Sequence, residues 1–229
     1  MTRPLFPADV RARLTASGPA VPHPGPFPTV PMPATLDEAI AQFTVACEAV
    51  GGRVSRVTTS DEAAALALGY LESPEWRRTG DDLPAYVAWD EAHLPLPGVI
   101  AGLAHRTTRL EAQVSRDAAA RTDDCDRLDR AIVGITGAHA ALVDTGSVAL
   151  VHGGGRPRLA SVLPPVHIAL VPVSLLHMTL GALMAAQPDL LRGAANVVLV
   201  TGPSRTADIE MTLTRGVHGP RLVHVVFVG

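Results

Sequence analysis

Apolar positions first recur at helical spacing. Leu36, Ile40, Phe43, Val45, Cys47 and Val50 recur through one stretch that reads as a helix. Thr35-Leu36-Asp37-Glu38 just ahead has capping-box spacing, and Gly51-Gly52 follows where a helix C-terminus favours left-handed backbone. Arg53 to Val57 then reads as a short strand, and Ser60-Asp61-Glu62 opens a second helix through Leu66, Leu68 and Leu71. Helix, strand, helix is the grammar of an α/β layer protein.

The second half carries short, continuous apolar runs. Ala131–Thr136, Val148–Val151, His167–Val171 and Asn196–Val200 read as buried segments or strands, Ala140 to Val143 leads into a polar turn at Asp144, and Leu175 to Ala186 suits a helix. Because parallel neighbours require a crossover, this alternation predicts a largely parallel sheet covered by helices. The Asn196–Val200 run is expected to be a buried parallel strand, followed from Thr201 by a tight polar turn and a helix start. Residues 72–125 are less regular. Ala85 to Trp89 has strand character, Gly98 to Leu103 fits a strand or a buried helix, and the mixed charges from Thr107 to Arg130 fit a solvated helix face or a polar loop.

Composition limits what this pattern belongs to. The chain has 229 residues with 47% hydrophobic content, enough for one full core, expected over residues 34–229. Residues 1–33 are crowded with prolines, which remove backbone donors, and read as an extended N-terminal arm. A net charge of −3 gives no general attraction to nucleic acid or anionic membrane. No apolar run approaches the roughly 18 residues of a membrane span. Two cysteines, Cys47 and Cys125, are too few for an iron–sulfur cluster or a disulfide framework, and a reducing cytoplasm is the expected setting. Gly153-Gly154-Gly155 lacks the spaced glycines of a dinucleotide fingerprint, and the nine histidines form no His-Glu-x-x-His pair, so neither a cofactor nor a metal site is expected.

Two polar stretches carry candidate chemistry. Thr201 to Glu210 combines Gly202, the hydroxyls of Thr201, Ser204 and Thr206, and the Arg205 guanidinium beside the expected helix start. Helix amides with an adjacent arginine suit a carboxylate or phosphate. Ordinary capping by Ser204 or Thr206, with Arg205 paired to Asp208, explains the same residues without a ligand. Asp208, nearest the turn, is the better acid or base candidate of the Asp208 and Glu210 pair. In Asp144-Thr145-Gly146-Ser147 the carboxylate can serve as a base or nucleophile, or close a local Asx turn. His218, between Gly216 and Gly219, is the loop histidine placed to face the same crevice.

Taken in order, Val133-Gly134-Ile135-Thr136-Gly137-Ala138, Asp144-Thr145-Gly146-Ser147, Leu163-Pro164-Pro165-Val166-His167-Ile168, Gly202 to Glu210 and Gly216-Val217-His218-Gly219-Pro220 resemble the lactate-utilisation protein C family, whose shared unit is the LUD domain. The resemblance is close over roughly residues 125–229 and general ahead of them. Family members more often carry Glu at the place of Asp144 and Thr at that of Ser147. The resemblance implies an α/β, three-layer α/β/α fold with a mostly parallel sheet, similar to ribose-5-phosphate isomerase and CoA-transferases. It also implies an accessory or ligand-binding component of a system oxidising L-lactate to pyruvate, beside cysteine-rich iron–sulfur partner proteins. Catalytic roles then fall to Asp144 and Asp208, and contacts with a small anionic ligand to Thr145, Gly146, Ser147, Gly202, Ser204, Arg205, Thr206 and His218. The alternative is a stand-alone isomerase, hydrolase or transferase acting on a phosphosugar or acyl-CoA.

Overall fold

The computed structural model describes residues 31–76, 83–190, 192, 194–207 and 213–229, so the expected proline-rich arm lies almost wholly outside the described residues. At its centre is a six-stranded sheet built from β1 (Arg53–Val57), β2 (Ala85–Ala88), β3 (Thr108–Arg109), β4 (Ala131–Gly137), β7 (Val166–Pro172) and β12 (Leu222–Val228), in the order β1-β12-β7-β4-β2-β3. Every pairing in it is parallel. The central strands β4 and β7 are buried nearly throughout, which is why they read as unbroken apolar runs rather than alternating ones.

Helices cover both faces. Register places Gly134 beside His167, and Val171 beside Phe227, so these four point to one side. On that side lie α1 (Leu36–Ala49), whose Phe43 meets Phe227 edge-on at 5.0 Å between centroids, and the short α5 (Leu159–Val162), so close that a Cβ on Gly134 would fall on the Ala160 carbonyl. On the other side, α2 (Ser60–Leu71) brings Tyr70 against His224, and α3 (Val99–Leu103) packs on α2 where Gly102 lies close to Ala64. Thus the fold has three layers around a mostly parallel sheet.

The helix starts follow local chemistry. Thr35 and Glu38 form the expected capping box, and Gly51, with φ of 85°, supplies the left-handed residue after α1. A second box, Thr59 with Glu62, opens α2 one residue ahead of the Ser60-Asp61-Glu62 signal. The charged stretch after Thr107 contains α4 (Ala118–Asp129), capped by the Asp117 carboxylate on the Ala119 and Ala120 amides; of its residues Leu128 is buried.

A second, four-stranded sheet departs from the expected parallel alternation. It contains β5 (Ala140–Leu142), β6 (Ser147–His152), β8 (Leu176–His177) and β9 (Asn196–Val200), in the order β8-β5-β6-β9, with β6 antiparallel to both neighbours. The Asn196–Val200 run is therefore a half-buried antiparallel strand outside the central sheet. The helix expected from Leu175 is shorter. It becomes a 3₁₀ turn, then β8, then α6 (Leu180–Ala186), which starts where Thr179 caps the Ala182 amide. The helix expected after Thr201 is replaced by β10 (Arg205–Ala207), antiparallel to β11 (Leu213–Arg215).

Candidate functional site

The two polar stretches singled out in the sequence do meet. Asp144 to Ser147 turns from β5 into β6, and Thr201 to Ser204 leaves β9, the neighbour of β6. Ser147 Oγ donates to Thr145 Oγ1 at 2.9 Å and lies 2.7 Å from Thr201 Oγ1; with its own hydrogen given to Thr145, it accepts from Thr201. Both loops lean on the carboxyl end of α1. Gly146, at φ of 62°, lies against the Cys47 backbone, and a Cβ on Gly202, at φ of 80°, would stand 2.9 Å from Val50 Cγ2. Arg205 Nη2 donates to the Val50 carbonyl, placing a cation at a helix C-terminus where the dipole favours it.

The Gly216–Pro220 loop joins this group. Ser204 N donates to Pro220 O at 2.9 Å, Gly216 N donates to Ser204 O at 3.0 Å, and His218 beyond them is exposed. Thr206 lies in β10, while Asp208 is outside the described residues. Asp144 is exposed and its backbone amide donates to Met178 O at 3.1 Å; its carboxylate makes no hydrogen bond among the described residues. The helix amides expected beside Arg205 are absent from 205–207. What stands there is the carbonyl end of α1, with a strand pair in place of the expected helix start.

A second place follows from topology. After β2 the chain moves outward to β3, whereas after β4 it moves the opposite way, through the second sheet, to β7. Adjacent strands whose connections diverge leave a crevice at their carboxyl ends, the position where open α/β sheets bind ligands. At the ends of β2 and β3 lies a cavity of about 270 Å³, whose walls include Asp90, Arg109, Glu111, Gln113, Gly153 and Gly155. Arg109 Nη2 bonds Asp90 Oδ1 at 3.2 Å and the Trp89 carbonyl at 3.4 Å. Gly155 O accepts from Asp90 N at 2.8 Å, and a Cβ on Gly155 would lie 2.7 Å from Asp90 Oδ2, so a side chain at this one glycine of the turn would strike Asp90. Arg127 of α4 pins the outer wall by donating to the carbonyls of Glu111 and Gln113.

Behind this turn, histidines fill the seam between the sheets. His152 Nδ1 lies 2.6 Å from Asn196 Oδ1, which makes Nδ1 the protonated nitrogen and leaves Nε2 facing Ser161 Oγ at 3.4 Å. This serine, histidine and asparagine order resembles an activated nucleophile, but Ser161 is buried and also bonds the Arg158 carbonyl at 3.0 Å, so it closes a core network. His139 Nε2 accepts from Arg156 Nη1 at 2.9 Å, and His167 Nε2 contacts Thr136 Oγ1 at 3.0 Å. Burial, then the Arg156 cation, pushes His139 down to about 4, and burial pushes His167 down to about 3, so both are neutral. Among the described residues no group of three or more His, Cys, Asp or Glu side chains is placed to hold a metal ion.

Sequence reasoning missed the crevice. Asp90 stands just past β2 and Arg109 within β3, strands whose adjacency to each other no local signal reveals. The available signal was the run Gly153-Gly154-Gly155, whose backbone freedom Gly155 uses at φ of 70°.

A mostly parallel sheet between two helical layers, joined by a hydroxyl-lined loop cluster, defines an α/β/α domain of the class to which LUD domains belong. The chain is a member of the LUD domain family, whose model matches residues 40–228. Among similar curated proteins, lactate utilization protein C of Halalkalibacterium halodurans is 39% identical over 101 residues, covering 42% of this chain and 43% of that protein. The protein of the same name from Exiguobacterium sp. is 43% identical over 103 residues, covering 43% and 45%. These matches thus span less than half the length of the curated relatives. A crystal structure of a DUF162 family protein from Deinococcus radiodurans superposes with a TM-score of 0.56 at 25% identity, covering 86% of this chain and all of that one. Among the described residues no helix is long and apolar enough to cross a membrane.

Proposed function

We propose that this chain serves lactate utilization as a cytoplasmic component without a redox cluster of its own, acting beside cysteine-rich iron–sulfur proteins in the oxidation of L-lactate to pyruvate. The observation that carries the reading is the LUD family match across residues 40–228, together with relatives named for lactate utilization. Cysteine chemistry supports the division of labour. Cys47 is buried in α1, where burial, then Glu48, pushes its thiol up to about 11, and Cys125 is exposed on α4. Two such thiols fall short of the four that a cluster requires.

In this reading the Asp144–Ser147 and Thr201–Arg205 loops, with His218, form the face that meets a partner or a small anion. Exposed Asp144 and His218 are its reporters, because neither side chain supports the core. Deleting the chain from a lactate-grown cell is expected to abolish lactate oxidation, with activity restored by the wild-type chain and reduced by Asp144→Ala with His218→Ala. Unimpaired growth of the deletion strain on lactate overturns the reading. Turnover of a phosphosugar or acyl-CoA by the purified chain alone replaces it with that of an independent enzyme.

A further inference from the structure

We propose that the crevice at the carboxyl ends of β2 and β3 is a binding site for a small oxyanion, a carboxylate or phosphate, held by Arg109. Three observations converge on it. The first is position: the crevice lies at the carboxyl ends of β2 and β3, the edge of a parallel sheet on which open α/β folds bind ligands, with the 153–157 turn as its other wall.

The second is the state of the arginines. Arg109 is half-buried and held by Nη2, through one contact to the water-facing Asp90 and a longer one to the Trp89 carbonyl. A guanidinium fixed by one nitrogen still has a planar fork of donors for a bidentate anion. Arg156, on the turn beside the crevice, has no acidic partner among the described residues: Nη1 donates to a neutral histidine and Nε is buried without an acceptor. A partly buried cation lacking a counter-charge gives the region a positive potential that a bound anion relieves. Asp90 and Glu111 oppose this on the crevice wall, so affinity depends on the close Arg109 contact rather than on a general basic surface.

The third is size and wall chemistry. About 270 Å³ accommodates a small acid or inorganic phosphate, and is below the usual range for drug-sized or dinucleotide ligands. The glycines at 153 and 155 bring backbone to the wall, where side chains would fill the space or strike Asp90.

The site is separate from the Thr145–Arg205 cluster, so the test distinguishes the two. Calorimetric titration of the full chain at constant ionic strength uses acetate, glycolate and inorganic phosphate as probes. Saturable binding of at least one is expected, and the probe that binds tells carboxylate from phosphate. Arg109→Gln is expected to weaken it at least about tenfold, the loss of a charge-assisted hydrogen bond. Arg109→Lys is expected to retain part of it, and Asp90→Asn to strengthen it, because the amide oxygen still holds Nη2 while the competing charge is gone. Arg192→Gln, at an exposed arginine outside both places, is expected to leave it unchanged. No saturable binding by the wild-type chain, equal binding by Arg109→Gln in a protein with wild-type circular dichroism, or loss confined to Arg205→Gln overturns the proposal.

Discussion

Gly134 and Gly69 show how one residue type carries opposite consequences. A methyl on Gly134 would enter the Ala160 carbonyl of α5 and come within 3.2 Å of Pro164 Cγ, in a strand that cannot move without disturbing β2 and β7. Gly69 sits exposed in α2, and a methyl there meets nothing within 4 Å. Gly134→Ala should therefore destabilise by about 3 kcal/mol or more through overpacking, whereas Gly69→Ala should stabilise by about 0.5–1 kcal/mol through helix propensity. Thermal melts read both, at roughly 2–4 °C per kcal/mol for a chain of this size. A melt of Gly134→Ala within a degree of wild type would show that α5 does not press on Gly134 in solution. The same contact explains why α5 stands so near the sheet: glycine opposite Ala160 removes the side chain that would otherwise separate them.

At the scale of elements, much of the fold was legible. The capping residues Thr35 and Glu38, the glycine at 51 and the apolar period behind them place α1 from purely local chemistry. α2 starts equally locally, and Thr59→Ala is expected to cost about 1 kcal/mol, visible as a lower urea midpoint, because the Glu62 amide loses its acceptor. An unchanged midpoint would mean that Ser60 takes over the cap. Legibility ended where pairing decides. Asn196–Val200 is apolar enough for a parallel core strand, yet it pairs antiparallel with β6, and a run of five residues does not encode which neighbour it meets. Thr201 to Thr206 has the hydroxyls of a helix cap, but from Arg205 the chain pairs as a strand, and the Thr201 hydroxyl bonds Ser147 across the loops instead. The candidate site followed the same division. The meeting of Ser147 with Thr201 was foreshadowed by two polar turns after apolar runs, whereas Asp90, Arg109 and Gly155 became neighbours through strand order alone.

For the whole molecule, the consequence of burying histidines at both faces of one sheet is a stability that depends on pH in a defined window. His167 is fully buried beside Thr136, and His224 is nearly so beside Tyr70 on the opposite face. Burial pushes them down to about 3 and about 4, from 6.5 in an unfolded chain. The unfolded state therefore binds more protons than the folded state at every pH between these limits, so stability is complete above about 6.5 and declines as pH falls. Each such histidine removes up to about 1.4 kcal/mol per pH unit, about 2 kcal/mol by pH 5. Carboxylates do not mimic this. Glu62 and Asp124 are held below their ordinary 4.5 and 3.8 by backbone amides and, for Asp124, by Arg127, so their stabilisation is lost at lower pH. Urea midpoints are thus expected to fall steadily from pH 7 to 5. His224→Phe keeps the ring against Tyr70 and removes one titrating group, so its slope in that window should be shallower by up to about 1.4 kcal/mol per unit. Identical slopes for variant and wild type would place the proton-linked loss elsewhere. A shallower slope would tie acid sensitivity to the neutral histidines that the two helical layers enclose.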